Sequence, residues 1–153
     1  MTEILWVDDE PWFLEPLQEK IRARLPQVSI ATCVAGSEAL ARLAERPPDL
    51  LVLDVLMPVQ TIEEIVADAL AGAEAPPDES WRLGGLKVLQ EVLAKGFAKA
   101  RIVIYSIVRE GDAREDALRN GVNLEGIRYI HKETDLDEAA ALISGMVGAP
   151  KQS

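Results

Sequence analysis

Leu50-Leu51-Val52-Leu53-Asp54 decides the fold. Four apolar residues run with no polar alternate between them and stop at a carboxylate. A strand with one wet face alternates in polarity, whereas an unbroken apolar run this short suits a parallel strand covered on both faces. Four runs of the same kind flank it, at 4–7, 28–33, 102–105 and 127–130. Helical patterns separate them. Leu14, Leu17, Ile21 and Leu25 share one helical face, with Pro11 where a first-turn proline is tolerated. Ser37 is placed to cap a helix over 38–44. Leu86, Leu89, Val92 and Leu93 repeat at helical spacing. Residues 112–119 read as a short polar helix that stops near Asn120-Gly121, and 135–147 as the last helix. A five-fold βα alternation predicts an α/β, doubly wound, flavodoxin-like parallel sheet of order 2-1-3-4-5. Its ligand crevice lies at the carboxyl ends of strands 1 and 3.

One stretch breaks the pattern. Residues 59–85 stand where a βα loop usually needs about 2–6 residues, so roughly 20 are extra. Thr61-Ile62-Glu63-Glu64 has the spacing of a capping box, and Ile65, Val66, Ala69 and Leu70 follow it, which predicts an extra helix. Gly72 to Gly85, with Pro76-Pro77, reads as loop. The insertion carries six acids (Glu63, Glu64, Asp68, Glu74, Asp78, Glu79) against one base, Arg82, a net −5 out of the chain's −10.

The 153 residues, 48% apolar, suit a single domain with its own core: 1–148 as one unit, with the insertion at about 59–85 and 149–153 as a flexible tail. Cys33 is the one cysteine, which excludes an internal disulfide framework and fits a reducing, cytoplasmic setting. No apolar run is long enough for a membrane span, no basic leader precedes Ile4, and neither a membrane partner nor a fused output module is expected. The acidic balance argues against direct nucleic-acid contact, which needs clustered Lys and Arg.

The strand ends carry the chemistry. Strand 1 runs into Asp8-Asp9-Glu10, strand 3 into Asp54, strand 4 into Ser106, and strand 5 into His131-Lys132. In the order 2-1-3-4-5 these four strands are contiguous, so their ends form one row. Two carboxylates about 5 Å apart cost roughly 3 kcal/mol at an effective dielectric near 20, so such a cluster takes up a proton or a cation. Oxygen donors with no His or Cys beside them suit a hard cation, Mg²⁺ first. Lys132 and Ser106 supply an ammonium and a hydroxyl for phosphoryl oxygens. Asp54, on the strand between 1 and 4, is the central candidate for a nucleophile that forms an aspartyl phosphate.

With 4–10 (Ile4-Leu5-Trp6-Val7-Asp8-Asp9-Glu10), 51–58 (Leu51-Val52-Leu53-Asp54-Val55-Leu56-Met57-Pro58), Ser106 and Lys132, the chain resembles the response-regulator receiver domain of two-component signalling. The likeness spans nearly the whole chain apart from 59–85. It implies Asp54 as phospho-acceptor from a histidine kinase or histidine phosphotransfer protein. It implies Mg²⁺ on Asp9 and Asp54 with the Leu56 carbonyl, Asp8 acting mostly through water. Ser106 is then the switch hydroxyl and Tyr129 the aromatic switch partner. Output passes through a face at roughly 109–147 to a protein that the sequence does not name, and a homodimer would form through the same face. Such a domain accepts its own phosphoryl group rather than turning over a substrate.

Three features depart from that pattern. Glu133 stands where a cis-linked proline usually follows the lysine, and a trans bond is expected here, since a non-proline cis bond costs about 2.5–4 kcal/mol. Ile107 is bulky where a small residue is usual and is expected to narrow access to Asp54. The third departure is the insertion itself. Leu56 and Val108, two places beyond Asp54 and Ser106, cannot orient an attacking water, so self-dephosphorylation is expected to be slow. His131, the only histidine, is read as a strand-end residue, and Cys33 as core. Trp12, beside the acids, and Trp81, in the insertion, are the aromatics left over. The alternative reading is a phosphorylation-independent interaction module of the same fold that uses the acidic insertion. A phosphatase would want an acid where Leu56 sits, and a flavin carrier would want hydroxyls and amides where Asp8-Asp9 sit.

Overall fold

The computed structural model describes residues 2–74 and 84–147. Pro76-Pro77, Asp78, Glu79, Trp81 and the tail from 148 lie outside the described residues. Five parallel strands, β1 (Thr2–Val7), β2 (Val28–Cys33), β3 (Leu50–Leu53), β4 (Ile102–Ser106) and β5 (Arg128–His131), form one sheet in the order β2-β1-β3-β4-β5. The helices are α1 (Glu15–Arg24), α2 (Gly36–Glu45), α3 (Ile62–Leu70), α4 (Gly84–Ala94), α5 (Glu110–Arg119) and α6 (Leu136–Val147).

The continuous apolar runs are explained by burial on both faces. Along β1, Ile4 and Trp6 join one core and Leu5 and Val7 the other. The first core also takes Leu17 and Ile21 of α1 and Ala139, Ala140 and Ile143 of α6. The second takes Ala39 of α2, Leu86 and Leu89 of α4, and Ala113 and Ala117 of α5. Register then sets the site. Val7 lies level with Leu53, and Ser106 level with His131. The Asp54 N–H donates to the Val7 carbonyl at 3.0 Å, and the Lys132 N–H to the Ser106 carbonyl at 2.8 Å. The reactive residues therefore leave the sheet side by side.

Several local expectations are corrected. Pro11 opens a short 3-10 turn (Pro11–Phe13), and it is Pro16 that occupies the first turn of α1. Ser37 does not cap α2, which begins at Gly36 behind Ala35 with no side-chain cap. The first-turn N–H groups of Gly36 and Ser37 instead donate to the Pro58 and Val59 carbonyls at 3.0 and 2.9 Å, so the loop after β3 does the capping. The Ser37 hydroxyl donates to Glu64 of α3 at 2.5 Å.

The extra helix forms where its capping box places it. Glu64 N–H donates to Thr61 Oγ1 at 3.1 Å and Thr61 N–H to Glu64 Oε1 at 3.0 Å. Val66 and Leu70 of this helix are exposed. Helix α4 starts earlier than its leucine spacing suggests, at Gly84-Gly85. Those glycines permit a close approach: a Cβ on Gly85 would lie 2.0 Å from the Asp54 carbonyl oxygen, and one on Gly84 2.2 Å from that of Met57.

Candidate functional site

The site stands at the carboxyl edge of β1, β3, β4 and β5. Asp54 and Asp8 are almost wholly buried there and Asp9 is half-buried. Each offers an oxygen, and the three oxygens lie within 4.8 Å of one another. Asp54 Oδ1 accepts from the Ser106 hydroxyl at 2.7 Å and from the Leu56 N–H at 3.0 Å. Asp54 Oδ2 accepts from the Lys132 ammonium at 2.8 Å. The same ammonium is 2.8 Å from Asp8 Oδ2, while Asp8 Oδ1 accepts from the Glu10 N–H at 2.9 Å. One cation thus serves two buried carboxylates.

The electrostatics follow. Burial raises the Asp8 carboxyl above its ordinary range, the Lys132 hydrogen bond pulls it back, and the Asp54 charge raises it again. Burial also raises Asp9, helped by the charges of Asp8 and Asp54. For Lys132, burial alone would lower the ammonium pKa, but hydrogen bonds and charge from Asp54 and Asp8 outweigh it and the net shift is upward. Three carboxylates against one ammonium leave the cluster short of positive charge. The donor set is all oxygen and is gathered in one place, so it fits a hard divalent cation such as Mg²⁺.

The structure also places residues whose part the sequence did not disclose. The Lys132 ammonium stands 5.9 Å from the centroid of the Tyr105 ring, which packs edge-on against Trp6. Tyr105 reads in sequence as one more apolar strand residue, and only strand pairing places it beside the lysine. The glycine pair 84–85 is a second omission. Glycines at the start of a helix look like loop in sequence, and here they let α4 press on the backbone that carries Asp54.

The remaining candidates are distributed as follows. The Tyr129 hydroxyl donates to the Val108 carbonyl, and the Val108 N–H donates to Ser106 Oγ at 3.3 Å. Burial pushes the Tyr129 phenol up to about 12, against a Ser106 contact that lowers it. Ile107 is 60% exposed, with its side chain largely in solvent. The Lys132–Glu133 bond is trans, as expected. Trp12 lies in the 3-10 turn after the acids and is 65% exposed.

No family model matches the chain. The solved receiver domain of the Francisella response regulator 1452 superposes with a TM-score of 0.63 at 16% identity, over 96% of this chain and 97% of that one. The receiver domain of NtrX from Brucella abortus does so with a TM-score of 0.61 at 21% identity, over 94% and 97%. The fold is that of a response-regulator receiver domain. Among curated proteins, the transcriptional regulatory protein KdpE of Mycobacterium tuberculosis is 29% identical over 147 residues, which are 96% of this chain and 51% of KdpE. The chain spans about half the length of the curated relatives it matches. Among the described residues, no helix is long and apolar enough to cross a membrane.

Proposed function

We propose that this receiver-fold chain accepts a phosphoryl group on Asp54 from a phosphohistidine donor, with Mg²⁺, and passes the change to a protein partner. The observation that carries this reading is that both oxygens of one buried carboxylate are already engaged. The Ser106 hydroxyl holds Oδ1 and the Lys132 ammonium holds Oδ2, with Asp8 and Asp9 alongside. In the transfer, an Asp54 oxygen bonds to phosphorus, the P–N bond of the donor breaks, and its electron pair leaves on the imidazole nitrogen. Ser106 and Lys132 then exchange the carboxylate for phosphoryl oxygens. Asp8, Asp9 and Asp54 would hold Mg²⁺, which supplies positive charge for the phosphoryl oxygens. The partner is a histidine kinase or phosphotransfer protein on the donor side, an output protein on the other, and the setting is cytoplasmic.

The test is intact mass after incubation with acetyl phosphate and Mg²⁺, beside Asp54→Asn. One phosphoryl adduct, lost in the variant and lost with EDTA, is expected. No adduct after long exposure, even with a phosphorylated donor protein, refutes the reading. It would turn attention to α3, where the exposed Val66 and Leu70 favour a phosphorylation-independent contact.

A further inference from the structure

His131 is the chain's only histidine, and main-chain atoms fix its ring on both sides. The Glu133 N–H lies 3.1 Å from Nδ1, and the Ile107 carbonyl oxygen lies 2.7 Å from Nε2. A backbone N–H can only donate and a carbonyl can only accept. Between the two tautomers of the imidazole, the pair therefore selects the one with Nδ1 bare and Nε2 carrying the proton, the Glu133 carboxylate standing 4.0 Å from Nδ1, beyond hydrogen-bond distance. A proline at 133 would have no N–H to give, so the selection depends on a residue of another type standing there.

What the ring holds is the turn that presents Ser106. Ile107 sits between Ser106, whose hydroxyl reaches Asp54, and Val108, whose carbonyl accepts from Tyr129 and whose N–H returns to Ser106 Oγ. With its side chain 60% exposed, Ile107 contributes little packing, so hydrogen bonds hold this turn. Three side chains from β5 and the end of β3, namely Tyr129, His131 and Asp54, each take one residue of 106–108.

We propose that His131 is a positioning residue for Ser106: its Nε2-protonated ring carries the Ile107 carbonyl and so sets the Ser106 hydroxyl at Asp54 before phosphoryl transfer. It acts through Ile107 and touches none of the reacting atoms. The inference rests on the reading of Asp54 as phospho-acceptor.

The test compares His131→Leu, which keeps bulk without a donor, with His131→Gln, which returns an N–H near the Nε2 position. Phosphorylation by acetyl phosphate with Mg²⁺, followed by intact mass, slows roughly 3- to 10-fold in His131→Leu, the worth of one hydrogen bond. It returns to within about 1.5-fold of the unmodified rate in His131→Gln. A long-range ¹H–¹⁵N spectrum of the single imidazole shows the Nε2–H tautomer, and the Val108 amide resonance moves in His131→Leu and returns in His131→Gln. A cationic or Nδ1–H ring overturns the proposal. So does a His131→Leu variant with unchanged rate and Val108 shift, or a glutamine variant as slow as the leucine one. If the unmodified protein takes no phosphoryl group, the Asp54 reading has failed instead, and the tautomer and the Val108 shift decide the positioning claim. If His131→Leu does not fold, the tautomer and the glutamine variant decide it.

Discussion

Replacing Asp9 by Asn removes one charge from the acid cluster and keeps the side chain's shape. At 4.8 Å, the outer spacing of the three carboxylate oxygens, a pair of unit charges costs about 3.5 kcal/mol at an effective dielectric of 20 and about 0.9 kcal/mol in water. Asp9 is half-buried and its two neighbours already share Lys132, so the lower figure governs. The two pairs together come to about 1–2 kcal/mol. In a domain of this size each kcal/mol moves Tm by about 2–4 °C, so Asp9→Asn melts roughly 5 °C higher in EDTA at pH 7. The sign follows from the raised carboxyl: burial, then Asp8 and Asp54, make the fold disfavour the charged form. The cost is absent in acid and appears as pH climbs from the ordinary value of 3.8 through the raised one, so the variant's advantage vanishes below about pH 4. Mg²⁺ should reverse the comparison. At a hundred times its Kd it would stabilise the unmodified protein by about 2.7 kcal/mol, and the variant would gain little. Thermal melts with and without Mg²⁺ read both effects. A variant that melts lower in EDTA, or keeps the full Mg²⁺ shift, would refute the electrostatic account.

Lys132→Met strands two buried carboxylates, and in EDTA it should lose about 3 kcal/mol, the low end for breaking a buried pair, because the lysine is 21% exposed; a urea midpoint shift worth under 1 kcal/mol would contradict this. Gly85→Ala drives a methyl group into the Asp54 backbone and should cost about 3 kcal/mol and slow phosphorylation, read by urea unfolding and intact mass, with an unperturbed variant as the contrary result. The phosphorylated form should persist for many minutes after the donor is removed, since Leu56 and Val108 offer no group to orient water; loss within seconds in saturating Mg²⁺ would count against it. Tyr129, pushed up to about 12, and Tyr105, also raised by burial, favour the fold below pH 10 and withdraw that support as pH rises. Ultraviolet titration should show the Tyr129 phenol intact at pH 10 and Tyr105 ionising later than a free tyrosine while the fold is intact.

The sheet was legible because burial on both faces leaves a signal in composition: runs such as 50–53 cannot be solvated strands. The site was legible because each polar residue ends an apolar run, and topology makes those ends neighbours. The helix starts were harder. Ser37 looks like a cap, but the α2 N–H groups found carbonyls from a segment more than twenty residues away, which no local pattern reveals. The same holds for Gly84-Gly85, whose smallness answers to backbone across a gap, and for His131, whose partners are main-chain atoms and carry no side-chain signature. The capping box of α3 was readable because all its partners lie within four residues.

The Gly84 N–H donates to the Met57 carbonyl at 2.9 Å, so a hydrogen bond closes the base of the inserted segment, and Ser37 of α2 ties its helix through Glu64. A segment pinned this way can change length cheaply, since each doubling adds only about 0.6 kcal/mol of closure entropy. Asp8, Asp9, Asp54, Lys132 and Ser106 all lie outside it. Site and insertion are therefore open to separate selection: a lineage can trade, lengthen or delete the residues between Val59 and Gly84, and with them whatever they recognise, while the carboxylate cluster at the strand ends is inherited unchanged.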